Sequence, residues 1–333
     1  MFSWQLIGHQ KITNYLELAI TNHRLAHAYL FYGPKQIGKK TLVKKFIQNI
    51  LCHQAHPEKE NWPCYTCSHC EHLQKNIHPD VIWLKKETDK KEISIEQIRA
   101  LQEHLLAHAF FKSYRLAIIE QAELLSPAAA NALLKTLEEP AKNVVLILVA
   151  NQINLPLTIL SRVQKIKMNP VSYHDIYEHL VVNKVDRERA RDLAHVAEGR
   201  PGRALYFERV PELWSNYQSQ VRLFLSLFYL TRRAKLSLAE KLLSHAETLT
   251  EKNTLLSPLL NLWEIINRDL ILSKLELSDK LININSAAAI NDLAQKFPLT
   301  RFLAWHQKIK NTKKYLALNA NPKLALENML LSL

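Results

Sequence analysis

Residues 33–41 read GPKQIGKKT, a spacing that sets Gly33, Gly38 and Lys39 as a phosphate-binding loop requires. Such a loop wraps backbone N–H groups around a polyphosphate, sends its lysine to the phosphate oxygens, and holds Mg²⁺ with a Ser or Thr hydroxyl directly after that lysine. Here Lys40 stands at the hydroxyl position, with Thr41 one residue further on. The loop has kept its shape and lost a metal-binding group, so it is expected to cradle phosphate and to be poorly equipped for an ATPase cycle. The flanks support the motif: AYLFY at 28–32 reads as a buried strand entering the loop and TLVKKFIQNIL at 41–51 as an amphipathic helix leaving it.

A second set of chemistry-bearing residues is Cys52, Cys64, Cys67 and Cys70, all the cysteines of the chain, gathered into nineteen positions with two consecutive C-x-x-C spacings. Four thiolates suit a closed tetrahedral Zn²⁺ site, which leaves no open coordination position and therefore staples a loop instead of performing catalysis. His53, His69 and His72 are near enough in sequence to replace one cysteine. A redox C-x-x-C pair, isolated thiols and disulfides are the alternatives, the last disfavoured in the reducing compartment expected for this chain.

The elements that must position these residues alternate. After the cysteines, DVIWL at 80–84 reads as a strand, Ser94 and Gln97 as a capping box, and Ile95, Ile98, Leu101 and Leu105 as one helix face. RLAIIEQ at 115–121 is a further strand ending in polar groups. Ser126 caps a helix with Pro127 at its first position and Pro140 at its close. VVLILVA at 144–150 is apolar on both faces, as in the middle of a parallel sheet. This alternation predicts a doubly wound α/β domain with its ligand crevice at the strand ends. From about 168 to 207 the pattern changes to short helices ending in EGRPGRAL, and from 211 to 333 it is helical and leucine-rich, with a break at Arg209–Glu212.

Bulk properties bound the rest. A chain of 333 residues exceeds one ordinary core. No apolar run approaches the ~20 residues of a spanning helix and no leader is apparent, so a soluble, cytoplasmic protein is expected. The net charge of +13 favours polyanionic surroundings, but +7 falls in 209–333 and +6 in 1–208, which marks no single face. Lys310, Lys313 and Lys314 form a basic helical stripe, read as a solvated face. Only five glycines occur, four of them (Gly33, Gly38, Gly199, Gly202) in two short motifs, where backbone geometry or close approach demands them.

In order along the chain, HRLAHAYLFYGPKQIGKK, the Cys-x₁₁-Cys-x₂-Cys-x₂-Cys module, RLAIIEQAELLS, AAANALLKTLEEP, LPLTILSRV and GRPGRAL resemble the bacterial clamp-loader subunits of the AAA+ class. Among these the chain is similar to the delta-prime type of DNA polymerase III, a relative of the ATP-hydrolysing gamma/tau type. The motifs cover about 1–208; beyond 211 the resemblance rests on length and helical character. It implies an α/β AAA+ module over 1–168 (parallel sheet flanked by helices) carrying the zinc-binding insertion at 52–70. A small helical lid domain over 169–209 and an all-α collar, which joins subunits, over 210–333 would follow. The nucleotide site implied is Gly33, Gly38, Lys39, Thr41, Glu120 and the second-sensor Arg203.

Three departures weaken that site. A working AAA+ subunit carries an acidic pair after this strand, one carboxylate for Mg²⁺ and one to activate water; here the pair is Glu120 and Gln121, and an amide cannot take a proton. Gln36 replaces a common loop glycine, and Lys40 replaces the metal-binding hydroxyl. Arg162 in SRV matches the arginine that the family extends into a neighbour's ATP site, although Val163 stands for the family's cysteine. For Arg162 and Arg203 the alternative is a surface salt bridge.

The resemblance thus implies a subunit without intrinsic ATPase activity, partnered by gamma/tau and delta subunits. Through the assembled complex it would help load a sliding clamp onto primed DNA. The rival expectations are an active gamma/tau-like ATPase and a zinc-dependent nucleic-acid-binding module.

Overall fold

In the computed structural model of the protein, residues 2–55, 61–106, 109–111, 113–244 and 246–333 are described. The chain divides into two compact units, Met1–His179 with Gly199–Arg203, and Leu180–Glu198 with Ala204–Leu333.

The first unit is built on a five-stranded parallel sheet. Its elements are α1 (Gln10–Thr21), β1 (Ala28–Tyr32), α2 (Lys39–Ala55), α3 (Ser68–Gln74), β2 (Val81–Leu84), α4 (Ile95–Leu106), β3 (Arg115–Glu120), α5 (Pro127–Glu138), β4 (Val144–Ala150), α6 (Leu157–Leu160) and β5 (Gln164–Lys167). Strand order is β2-β3-β4-β1-β5. Side chains alternate across the pleat, so Ala28 and Leu30 of β1 join one buried layer with Leu146 and Leu148 of β4 and Leu133 of α5. Tyr29 and Phe31 join the opposite layer with Ile147, Phe46 of α2 and Leu16 of α1. Two covered faces explain why β4 is apolar at every position, all seven of which are buried.

The helix starts follow their sequence signals. Ser126 accepts a hydrogen bond from the Ala129 N–H at 3.2 Å, with Pro127 at the first position of α5. Ser94 and Gln97 reciprocate across the entry to α4. The strand predicted at 80–84 begins at Val81, and those predicted at 28–32 and 144–150 form over those residues. The exit of β5 runs hard against the loop after β1: a Cβ built on Gly33 would lie 2.3 Å from the Met168 carbonyl oxygen, so no other residue fits there.

Helices α7 (Tyr173–Val182), α8 (Arg187–Ala197) and α9 (Pro201–Arg209) follow, with α7 and α9 shared between the units. The rest of the second unit contains α10 (Pro211–Ser226), α11 (Arg232–Leu243), α12 (Leu249–Lys274), α13 (Ala287–Lys296), α14 (Leu299–Ala317) and α15 (Pro322–Leu331). No strand occurs in it among the described residues. Phe224, Phe228, Trp263, Phe302 and Trp305 form its aromatic centre, with Trp263 and Trp305 stacked at 6.2 Å between centroids. Asp269, fully buried on α12, accepts from the N–H groups of Ile282 and Asn283 and from the Asn283 amide, the last two at 2.8 Å. Asn283 in turn accepts from the Tyr217 hydroxyl at 2.7 Å. These bonds fasten the stretch before α13 onto α12. Among the described residues, no helix is long and apolar enough to cross a membrane.

Candidate functional site

Parallel register brings the chemistry to one edge of the sheet. Glu120, the last residue of β3, lies opposite Val149, which lies opposite Phe31, so the carboxylate and the loop leaving β1 stand at the same height two strands apart. That separation is about 10 Å at the usual strand spacing, a gap a lysine side chain can span. A cavity of about 390 Å³ opens there, lined by Gly38, Lys39, Lys40, Thr41, Gln121 and Asn151 among others.

Lys39 is buried and turned onto its own loop. Its ammonium donates to the carbonyls of Gly33 at 2.6 Å and Pro34 at 2.7 Å, and to Asn151 Oδ1 at 3.2 Å. Asn151 is held by Glu123, whose Oε1 accepts from the Asn151 side-chain amide at 2.6 Å. Burial pushes the Lys39 ammonium down to about 8; nearby Glu123 opposes the shift, while Lys35 and Lys40 add to it. Asn151 and Glu123 escaped the sequence reading. The available signal was a polar residue directly after the apolar central strand, at the crevice end of the sheet.

Lys40 leans across to β3, where its ammonium lies 2.5 Å from Glu120 Oε2, and Lys85 approaches the other oxygen at 3.8 Å. The carboxylate is 7% exposed, whereas Lys40 is 58% exposed. Gln121 adopts a left-handed backbone (φ 54°), is exposed and lines the cavity. Gln36 is also left-handed, at φ 65°, the conformation that suits the glycine it replaces. Its carbonyl accepts from the Gly202 N–H at 2.8 Å, and a Cβ on Gly202 would sit 2.8 Å from that oxygen. The second glycine of GRPGRAL therefore exists to let α9 touch the loop. Arg203, next in that turn, is half-buried.

Arg162 follows α6 and is well outside this cluster in sequence and contacts. Its guanidinium pairs with Glu138 of α5 at 2.8 Å and donates to the Thr158 carbonyl at 3.0 Å and the Ser161 hydroxyl at 3.1 Å. A surface salt bridge is thus present in the isolated chain, with 37% of the Arg162 side chain still exposed.

The four cysteines converge. Cys52 on α2 and Cys70 on α3 are fully buried, Cys64 and Cys67 half-buried, and all four Sγ atoms lie within 4.8 Å of one another. A tetrahedron of Zn–S bonds of about 2.3 Å has edges of about 3.8 Å, so the cluster fits Zn²⁺ without rearrangement of the helices. The Cys64 N–H donates to Cys52 Sγ at 3.1 Å. A hydrogen bond with Cys70 and burial raise the Cys52 thiol; the same bond, against burial, draws Cys70 down to about 7. The candidate substitutes have other partners: His69 meets His78 at 2.8 Å, His72 meets the Ser68 carbonyl, and His53 packs against Trp62 with the rings tilted at 60°. Lys313 of the basic stripe is paired with Glu264 at 2.7 Å.

The chain is similar in sequence to known proteins. A family profile described as "DNA polymerase III, delta subunit" matches residues 8–172. The DNA polymerase III subunit delta' of Bacillus subtilis is 28% identical over 97% of this chain and 95% of its own length. That of Pseudomonas aeruginosa is 38% identical over 38% of each chain. A gamma subunit-related protein of DNA polymerase III from Thermotoga maritima, of known structure, is 17% identical at a TM-score of 0.37, covering 95% of this chain and 97% of that one. The class to which the chain is similar is that of the bacterial DNA polymerase III clamp-loader subunits, and its parallel α/β module, helical C-terminal part and cysteine cluster are compatible with that likeness. Within the class, the chain is a relative of the delta' subunit over almost its whole length.

Proposed function

We propose that this protein is a non-catalytic, delta-prime-type member of a DNA polymerase III clamp loader, cytoplasmic, and assembled with gamma/tau and delta subunits. In this reading residues 1–168 are the AAA+ module, 169–209 the lid, and 210–333 the collar that joins the ring. The complex loads a sliding clamp onto primed DNA at the expense of ATP bound by other subunits, and Arg162 of this chain serves one of those sites in trans.

The observation that carries the reading is an asymmetry. The chain's own site has a lysine on its metal-binding carboxylate and an amide in place of the base, so neither Mg²⁺ nor water is prepared for phosphoryl transfer. Arg162 is retained, half-exposed, and held by contacts at the surface, which a nearby phosphate would outcompete. Cys52, Cys64, Cys67 and Cys70 would hold Zn²⁺, whose contribution is to tie α2 to α3 with a closed coordination shell.

Two measurements test the proposal. Tagged protein drawn from its native cell should bring gamma/tau and delta subunits with it, and the purified chain alone should hydrolyse ATP no faster than background. Robust turnover by the contaminant-free chain would establish an active gamma/tau-like ATPase instead, and a steeply salt-dependent affinity of the lone chain for DNA would favour a nucleic-acid-binding module.

A further inference from the structure

The carboxylate that would receive a divalent metal already has its cations. Glu120 is almost wholly buried, and a buried carboxylate must be paired. Lys40 at 2.5 Å and Lys85 at 3.8 Å bring the two positive charges that Mg²⁺ would bring. Lys40 reaches it from the first turn of α2, the position from which the absent hydroxyl would have held the ion. Magnesium needs near-octahedral oxygen ligands at about 2.0–2.1 Å, and an ammonium has no lone pair to contribute. The residues present therefore do not fit Mg²⁺.

We propose that Lys40 is a built-in substitute for the divalent cation, so that this pocket takes a polyphosphate of the nucleoside di- or triphosphate class in its metal-free form. This rests on reading residues 33–41 as an altered phosphate-binding loop and not on membership of any ring. Lys35 and Lys39 add to the positive charge at the loop, and the 390 Å³ cavity lies directly beside them. An ammonium can neutralise and hydrogen-bond a phosphate oxygen, but it cannot bridge β- and γ-oxygens as a metal does in phosphoryl transfer. Lys40 thus separates two properties that usually travel together: holding the nucleotide and hydrolysing it. The ligand would act as a structural wedge between the loop and the end of β3.

The test is equilibrium binding of ATP to the full-length chain, with magnesium omitted in one arm and present in excess over nucleotide in the other. Magnesium is omitted and not chelated, which leaves the cysteine cluster undisturbed. The unmodified protein should bind ATP, and magnesium should leave its affinity unchanged or weaken it. Lys40→Thr, which frees Glu120 and restores a hydroxyl, should convert binding to magnesium dependence, in the range of roughly 5- to 150-fold for two ligands sharing a site. Should Lys40→Thr fail to fold, Glu120→Gln gives the opposite readout: an ammonium released from its partner should tighten metal-free ATP binding, whereas loss of a true metal ligand would weaken magnesium-supported binding. No ATP binding by the unmodified chain in either arm, or binding that magnesium strengthens as it does in Lys40→Thr, overturns the proposal. Neither result bears on copurification with partner subunits, so the two readings fail separately.

Discussion

Replacing Arg162 with alanine separates a structural role from one exercised on a neighbour, because the structure makes the two effects very different in size. Within the chain, the side chain loses one ion pair to Glu138 and two hydrogen bonds, all at the surface, with the pair's side chains 37% and 50% exposed. Pairs of that exposure contribute roughly 0–1 kcal/mol, so melting should fall by no more than about 2–4 °C. At a neighbour's ATP, by contrast, an arginine that stabilises the charge on the transferred phosphoryl group is worth ~10³–10⁵ in rate, about 4–7 kcal/mol. A ring with several active sites dilutes this in steady-state turnover, so the assay is single-turnover hydrolysis by the reconstituted complex with clamp and primed DNA, run beside a melt of the lone chain. Arg162→Ala should remove the contribution of one site and leave assembly and melting nearly intact. Arg162→Lys should not restore the loss, since an ammonium lacks the planar fork. Complexes carrying Arg162→Ala that hydrolyse ATP and load clamps at the unmodified rate would leave the arginine with nothing beyond its bond to Glu138.

The protein as purified without chelator should contain about one Zn²⁺ per chain, and Cys67→Ser should lower metal content and melting temperature together; elemental analysis finding no zinc would remove the assignment. In the second unit, burial raises the Asp269 carboxyl, against the hydrogen bonds from Asn283 and Ile282. Its native state therefore binds the proton more tightly than the unfolded chain, and this contribution to stability is full below about pH 3.9 and is lost as pH rises through the raised native value. Asp269→Ala should remove that pH dependence and cost about 3–5 kcal/mol in denaturant unfolding at neutral pH, since it strands three donors, two of them buried.

Much of the first unit was legible because its signals are local. Strands β1 and β4 and the start of α5 follow from apolar runs and caps that a short window contains. Strand β5 was not legible: in QKIK only Ile166 is buried, and an edge strand with three exposed residues gives no apolar period to read. The cysteine cluster could be read because its residues are close in sequence and its geometry is set by spacing. The pairing of Lys40 with Glu120 was hidden for the opposite reason. It depends on two strands being separated by exactly one other, a fact of strand order that no local pattern carries. Arg162 could be picked out by motif, but its bond to Glu138 depends on how α5 and α6 lie together. The buried Asp269 gave no warning at all, since a lone aspartate in an amphipathic helix reads as a solvated position until the stretch at 281–283 folds over it.

The strand order also sets a timetable for synthesis. Strand β1 is made first, yet both its neighbours, β4 and β5, are made last of the five. At a translation rate of about 5–20 residues per second, the segment AYLFY waits roughly 6–20 s before residue 144 is even polymerised. The four thiols, by contrast, are all synthesised by residue 70, well before β4. With Zn²⁺ held there as proposed, metal capture would anchor α2 before the sheet exists, keeping that helix at hand to cover Tyr29 and Phe31 while they have no partners. A nascent chain starved of zinc would expose an apolar strand during that interval, and its losses should appear as aggregation on the ribosome before they appear as a lower melting temperature.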